Sequence, residues 1–316
     1  MVHNTEAWHS EYLELMFGKT RSMDTMNRAA EIKYQHMPEK LYKYRYFCEN
    51  HLSALQNDCL YSSGPDHLND IREAPISILA DKLKQRALQK AYDDAREKNP
   101  WLPATSIKDE YDLACIFHSL HMKGQPESPF PCPKPGADAY IDALVSWAET
   151  NFKAILDQHI HAIKNMYNVC CFSSELDEDL MWSHYANSHT GFCIQYDFKS
   201  LGLLNDRVQL LLPVIYRDSP SVEVDDLDAA DGSLVMYALT QKNTKWSYEK
   251  EWRSFYMHTE KPHPENMPKP KAIYLGAKAR EDDKQKMLGI CSEKMIPLYQ
   301  MTLPNVNASL QSVRLL

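Results

Sequence analysis

Residues 168–196 read NVCCFSSELDEDLMWSHYANSHTGFCIQY, and the fold class turns on this stretch. Val169 to Phe172 is a short apolar run that reads as a buried strand. Leu176 to Ala186 reads as a short helix with Ser174 as its cap. Thr190-Gly191 supplies a turn, and Phe192 to Tyr196 reads as the next strand. Strands and helices are mixed here without strict βαβ alternation, which predicts an α+β fold rather than a doubly wound sheet.

The same pattern extends in both directions. Residues 1–37 are polar and helical in spacing, with Trp8, Tyr12, Leu13, Leu15 and Met16 as the packing stripe, and form a leader or a partner-binding segment. Lys40 to Tyr46 is an aromatic and basic strand, followed by a helix over Cys48–Asn57, a strand over Cys59–Ser62 and a turn at Gly64-Pro65-Asp66. Leu79 to Glu97 is a charged helix. Lys123 to Ala137 holds Pro126, Pro129, Pro131, Pro133 and Pro135 and is an extended connection. Asp138 caps a further helix that runs to about Asn165. The segment from about 79 to 165 is therefore a helical insertion in a single domain spanning 38–316, whose core is a mostly antiparallel, strand-rich sheet. Downstream, strands are expected at Leu210–Tyr216, Arg253–Met257, Ala272–Leu275 and Ile296–Thr302. Helices are expected at Met236–Asn243 and Lys278–Cys291, and the acidic run Glu223–Asp231 is a solvated loop or helix start.

Composition narrows the function. The chain has 316 residues, a net charge of −8 and a pI near 5.9, which disfavours broad binding to nucleic-acid backbones. Nine glycines, with neither GxGxxG nor GxxxxGK[ST], argue against a glycine-rich phosphate loop. Eight cysteines without a CxxC pair, and an N-terminus with no apolar h-region, predict reduced thiols in a cytoplasmic protein, with Cys170 and Cys171 unbridged. No apolar run approaches the ~18 residues of a membrane span, so no membrane association is expected.

Three segments can carry chemistry. In Tyr42-Lys43-Tyr44-Arg45, alternation places Lys43 and Arg45 on one face of a strand and the tyrosines on the other, and an Arg so placed can hold a phosphate. The same residues also suit an edge strand with solvated charges. In Met181-Trp182-Ser183-His184-Tyr185-Ala186, Ser183 and His184 point about 100° apart on a helix and make no nucleophile–base pair. Trp182 and Tyr185 either line a pocket or belong to the core. In Trp246-Ser247-Tyr248-Glu249-Lys250-Glu251-Trp252-Arg253, the Glu-x-Glu spacing puts both carboxylates on one face of an extended segment. There they divide binding and acid–base roles, or pair with nearby cations. His118 with His121, and His159 with His161, lack a metal-binding pattern, and no metal is expected.

Taken in order, LYKYR, LYSS with LND, CFS, LMWSHYANSHTGFCIQYD, WSYEKEWR and IYLG resemble the mainly bacterial and phage family known as domain of unknown function 2971. The resemblance covers roughly Leu41 to Leu303 and departs from the family at Asp70-Ile71-Arg72-Glu73, where an Asn-Asp-Pro turn is usual. The chain is also similar, more distantly, to ADP-ribosyltransferase-like folds. That similarity implies an NAD-dependent ADP-ribosyl transferase or NAD glycohydrolase, such as a toxin or phage-defence effector acting on a protein or nucleic-acid acceptor. It implies that Arg45 or Lys43, with Tyr44, holds the NAD phosphates. Tyr185, with Trp182, Ser183 and His184, would line the nicotinamide pocket. Glu251 would be the catalytic acid, preceded by Glu249. Two other readings stay open: a nonenzymatic interaction module docking through its N-terminal helix or its insertion, and a metal-dependent hydrolase or nuclease using Glu249, Glu251 and Asp70.

Overall fold

A computed structural model describes residues 7–18, 20–70, 76–78, 80–98, 100–109, 111–116, 166–220, 222–224, 232–257, 263–305 and 308–316, with single positions between 142 and 154. The proline-rich stretch, nearly all of the helix expected up to Asn165, and His118, His121, His159 and His161 lie outside the described residues. The chain forms two compact units, residues 1–75, 164–221 and 232–316 in the first, and 76–163 with 222–231 in the second.

In chain order the helices are α1 (Ala7–Phe17), α2 (Met23–His36), α3 (Glu49–Gln56), α4 (Ala80–Lys98), α5 (Asp179–Tyr185), α6 (Asp206–Gln209), α7 (Gly232–Leu239) and α8 (Glu281–Lys294). The strands are β1 (Leu41–Arg45), β2 (Cys59–Ser62), β3 (Ile76–Ile78), β4 (Asn168–Ser173), β5 (Phe192–Tyr196), β6 (Leu211–Pro213), β7 (Ile215–Arg217), β8 (Val222–Val224), β9 (Gln241–Asn243), β10 (Glu251–Tyr256), β11 (His263–Asn266), β12 (Ala272–Leu275), β13 (Leu298–Thr302) and β14 (Gln311–Arg314).

The first unit is mixed α+β, built on an eight-stranded sheet in the order β14-β13-β12-β5-β1-β4-β10-β6. Its pairings are antiparallel except β12 with β13. Alternation on β1 sorts its side chains as expected. Leu41 joins one core with Phe172, Ile194, Leu298 and the α8 residues Met287 and Ile290, while Tyr42 and Tyr44 join a second core with Trp182, Cys193 and Tyr274. The pairing is uneven. β1 and β5 share five register pairs and β10 and β4 share six, but β1 and β4 pair at a single position, Tyr42 opposite Ser173. Beyond it the two central strands diverge, and the far end of β4 bonds instead to Ser63, through Val169.

Several local expectations change. Leu210–Tyr216 splits into β6 and β7, which belong to different sheets, because Val214 turns to hand its N–H to Glu251 while Ile215 hands its own to Thr240. Met236–Asn243 is not one helix. α7 stops at Leu239 and β9 pairs in parallel with β7. The cap of α5 is Glu178, whose carboxylate accepts from the Leu180 N–H, and Ser174 lies ahead of it. β11 and β14 were not legible as strands. In β11, paired with β2, Pro264 and Glu265 hide the alternation, and β14 is exposed at all four positions.

The N-terminal helices form part of the first unit. Tyr12 and Leu13 are buried, and Lys33 of α2 reaches into the core, where its ammonium donates to the carbonyls of Val208 (2.8 Å) and Gln209 (2.7 Å). The second unit, by itself, packs Leu88 and Tyr92 of α4 against Leu102, Ile107 and Leu113, with the Tyr92 hydroxyl donating to the Pro103 carbonyl at 2.6 Å. β8, where the acidic run begins, pairs in parallel with β3, and the rest of that run, 225–231, lies outside the described residues. Among the described residues no helix is long and apolar enough to cross a membrane, and Cys170 and Cys171 are free thiols.

Burial lowers the Lys33 pKa from 10.5 to about 7. Between those values the unfolded chain carries a proton that the folded chain has released, so stability rises with pH across that interval. Urea midpoints measured from about pH 7 to about pH 10 should climb in the wild type and climb less in Lys33→Met.

Candidate active site

The divergence of β1 from β4 opens a cleft of about 220 Å³. β1 gives it Tyr42, Lys43, Tyr44 and Arg45, β4 gives Cys171 and Ser173, and α5 gives Met181 and Tyr185. The turn after β2 gives His67, Leu68 and Asn69, and Lys242, Glu249, Glu251 and Arg253 complete the wall. The gap leaves a strand carbonyl without its ladder partner. Lys43 fills that role, donating from its ammonium to the Cys171 carbonyl at 2.7 Å.

The wall formed by the Glu-x-Glu motif is an ion network sealed from water. Lys242 donates to Glu249 Oε2 at 2.6 Å and to Glu251 Oε2 at 3.0 Å. Arg253 holds Glu251 in a fork, Nε to Oε1 and Nη2 to Oε2, both at 2.9 Å, and its Nη1 donates to the Leu239 carbonyl at 2.7 Å. Arg253 is 0% exposed, Lys242 3%, Glu249 2% and Glu251 6%. Two cations balance two carboxylates, as burial of charge demands. The motif is not a continuous extended strand. Glu249 ends a 3-10 turn, Lys250 is left-handed at φ 43 and ψ 52, and Glu251 begins β10. Lys242 brings the two carboxylates together across that kink.

Their environments push the carboxylates apart. Burial raises the Glu249 pKa, the Glu251 charge adds to the effect, and Lys242 and Tyr185 only partly oppose it. Burial would raise Glu251 too, but Arg253 and Lys242 outweigh it and hold that carboxyl well below the usual range. Tyr185 donates to Glu249 Oε1 at 2.5 Å and accepts from the Asn69 amide at 2.6 Å. Burial and the Glu249 charge raise the phenol well above its ordinary value, so it stays a donor. On the β1 side, burial and then the Arg45 charge lower the Lys43 pKa. Among the described residues no hydrogen bond or ion pair engages the Arg45 guanidinium. The cleft thus sets a cationic wall against a carboxylate and a phenol.

Glu249, Glu251, Tyr185, Lys43, Tyr44 and Arg45 therefore meet at one cleft. Trp182, Ser183 and His184 are not among the residues that line it. Trp182 is fully buried, with its indole N–H on the Leu176 carbonyl at 2.7 Å and its ring edge-on to Tyr44. Ser183 lies 3.3 Å from His189 Nε2, and His184 is exposed against Tyr248. These residues serve a clasp. Asn187, Ser188 and His189 are all left-handed, with φ of 48, 56 and 68°, a costly run for non-glycine residues. The Ser188 and His189 N–H groups bond back to the Ser183 and Trp182 carbonyls. A Cβ at Gly191 would meet the Arg45 carbonyl at 2.3 Å, so that glycine permits the close crossing beside β1.

Asp70 is buried but does not line the cleft, and among the described residues no group of three or more His, Cys, Asp and Glu side chains could hold a metal. Every oxygen of Glu249 and Glu251 already accepts from Lys242, Arg253 or Tyr185. Lys242 was missed by sequence reading. It follows a hydrophobic helix and carries no motif, and only the later Glu-x-Glu, needing a buried countercharge, pointed to such a residue.

Removing one member of the network strands its partners in the interior. Glu251→Gln should lower unfolding free energy by about 3–5 kcal/mol in urea titrations, with Glu249→Gln costing less because Tyr185 and Lys242 can still bond an amide.

No curated protein and no solved structure matches this chain. The matched residues 181–254 run from α5 through the clasp, β5 to β7 and Lys242 to the Glu-x-Glu network. Over that segment the chain is similar to the family described as Protein of unknown function (DUF2971), whose model matches residues 181–254.

Proposed function

We propose that the cleft binds a nicotinamide dinucleotide and breaks its glycosidic bond, transferring the ADP-ribosyl group to an acceptor or to water. The observation that carries this reading is the opposition of Arg45, a cation with no partner among the described residues, to the Tyr185–Glu249 pair across one aromatic cleft. A pyrophosphate matches Arg45, by charge and by the paired N–H geometry of a guanidinium. Tyr185, only partly buried, offers ring surface to the nicotinamide. At 220 Å³ the space is below the ~300–1,000 Å³ of drug-sized pockets, so it takes the ring and its ribose while the adenosine half lies outside.

The chemistry follows from the two carboxylates. As the C1′–N bond breaks, its electron pair leaves with neutral nicotinamide and positive charge builds on the ribose. A fixed carboxylate beside it lowers the barrier. An acceptor hydroxyl or water then bonds to C1′ and gives up its proton. Glu249, with its raised pKa and its contact to Tyr185, is the suited base. In this reading Glu251 is a positioning residue, since Arg253 and Lys242 hold both of its oxygens. An activity of this kind drains NAD or marks an acceptor, as a toxin or phage-defence effector would.

The test is nicotinamide release from NAD by the purified chain, with and without cell lysate as acceptor. Glu249→Gln should lower kcat about 10²–10³-fold, and Arg45→Ala should act mainly on KM. Folded wild-type protein that releases no nicotinamide under any condition would end this reading.

A further inference from the structure

We propose that Lys43 is a covalent capture site: its amine forms an imine with an aldehyde that bears a phosphate, and Arg45 holds the phosphate. The inference goes beyond the NAD reading. It shares Arg45 with that reading, and no step uses Glu249 or a nicotinamide. Lys43 and Arg45 are two residues apart on β1, on the same face of the strand, and both line the cleft. Their Cα atoms are therefore about 7 Å from one another, a span that a short carbon chain ending in a phosphate bridges.

Placement separates Lys43 from the buried lysines. Lys33 is spent on two carbonyls and does not line the cleft, and Lys242 is held by two carboxylates. Lys43 is partly exposed, lines the cleft, and among the described residues has one hydrogen-bond partner, the uncharged Cys171 carbonyl. Desolvation and a neighbouring cation are the two circumstances that keep a lysine amine nucleophilic. Both act here, since burial and then the Arg45 charge lower the Lys43 pKa. Glu251 opposes them, but Lys242 and Arg253 already neutralise that carboxylate, and burial keeps the Cys171 thiol protonated. The step balances without an oxidant. The ammonium gives one proton to water, and the amine nitrogen adds to the carbonyl carbon of the aldehyde. Its two remaining hydrogens leave with the carbonyl oxygen as water, so a C=N bond replaces the C=O bond. The imine then takes a proton back, and that N–H returns to the Cys171 carbonyl.

The test is to incubate the full chain with glyceraldehyde 3-phosphate and cyanoborohydride, without NAD, and to locate the reduced adduct by peptide mass spectrometry. Lys43 should be labelled about 10-fold or more faster than any other lysine. Arg45→Ala should slow labelling at Lys43 about 10-fold or more, and inorganic phosphate should protect it. Glyceraldehyde without the phosphate should label Lys43 no faster than surface lysines. Lys43→Arg keeps the cation and a donor for the Cys171 carbonyl, and should abolish the fast adduct with the chain still folded. Labelling spread evenly over the lysines of folded wild-type protein would overturn the proposal. So would labelling of Lys43 that neither Arg45→Ala nor inorganic phosphate slows. Both readouts stand whether or not the chain releases nicotinamide from NAD.

Discussion

One ammonium, that of Lys242, holds the site together. It touches both carboxylates of the Glu-x-Glu motif, and through Glu251 it is tied to Arg253 and the end of α7. Its position over the Trp246 ring, 5.0 Å from the centroid, adds an aromatic face to the same charge. Without it, Glu249 and Glu251 would be like charges on either side of a kink in an apolar setting, where one of them would have to take up a proton. With it, a strained turn becomes tolerable, because the ion network fixes the residues on both sides of Lys250.

Strain recurs where the backbone must bring distant elements to the cleft. Three successive left-handed residues after α5 return the chain sharply, and Gly191 lets it pass against β1. The helix is thereby held so that Tyr185 faces the sheet while Trp182 anchors in the core. Much of the conspicuous aromatic and histidine content of residues 181–191 goes into this clasp and not into contact with a ligand. A motif rich in chemically able residues can be conspicuous for a structural reason.

The architecture was legible where a short apolar run is buried throughout, as in β5 and β12, whose limits match the expected Phe192–Tyr196 and Ala272–Leu275. It was illegible where pairing, not burial, makes the strand. β7 and β9 are three residues each and owe their state to one another, and β14 has no buried face at all. The site followed the same rule. Arg45, Tyr185 and the two glutamates could be picked out as residue types in aromatic company. The division of labour between Glu249 and Glu251 could not, because it depends on Lys242 and on the turn at Lys250, and neither carries a local signal. The N-terminal helices looked detachable by composition. Lys33, a polar residue by any scale, is what fastens them.

The lone pairing of Tyr42 with Ser173 has a mechanical meaning. β5, β12, β13 and β14 continue from β1 on one side, and β10 and β6 from β4 on the other, so the broad sheet is two leaves joined at a narrow spine. One core, in which Leu41 and Ile194 of the first leaf pack with Phe172, Trp252 and Leu211 of the second, holds the leaves together where ladder bonds are few. The cleft is thus a seam in the ladder that side-chain packing keeps shut on one face, with the Lys43 ammonium as a clip across it.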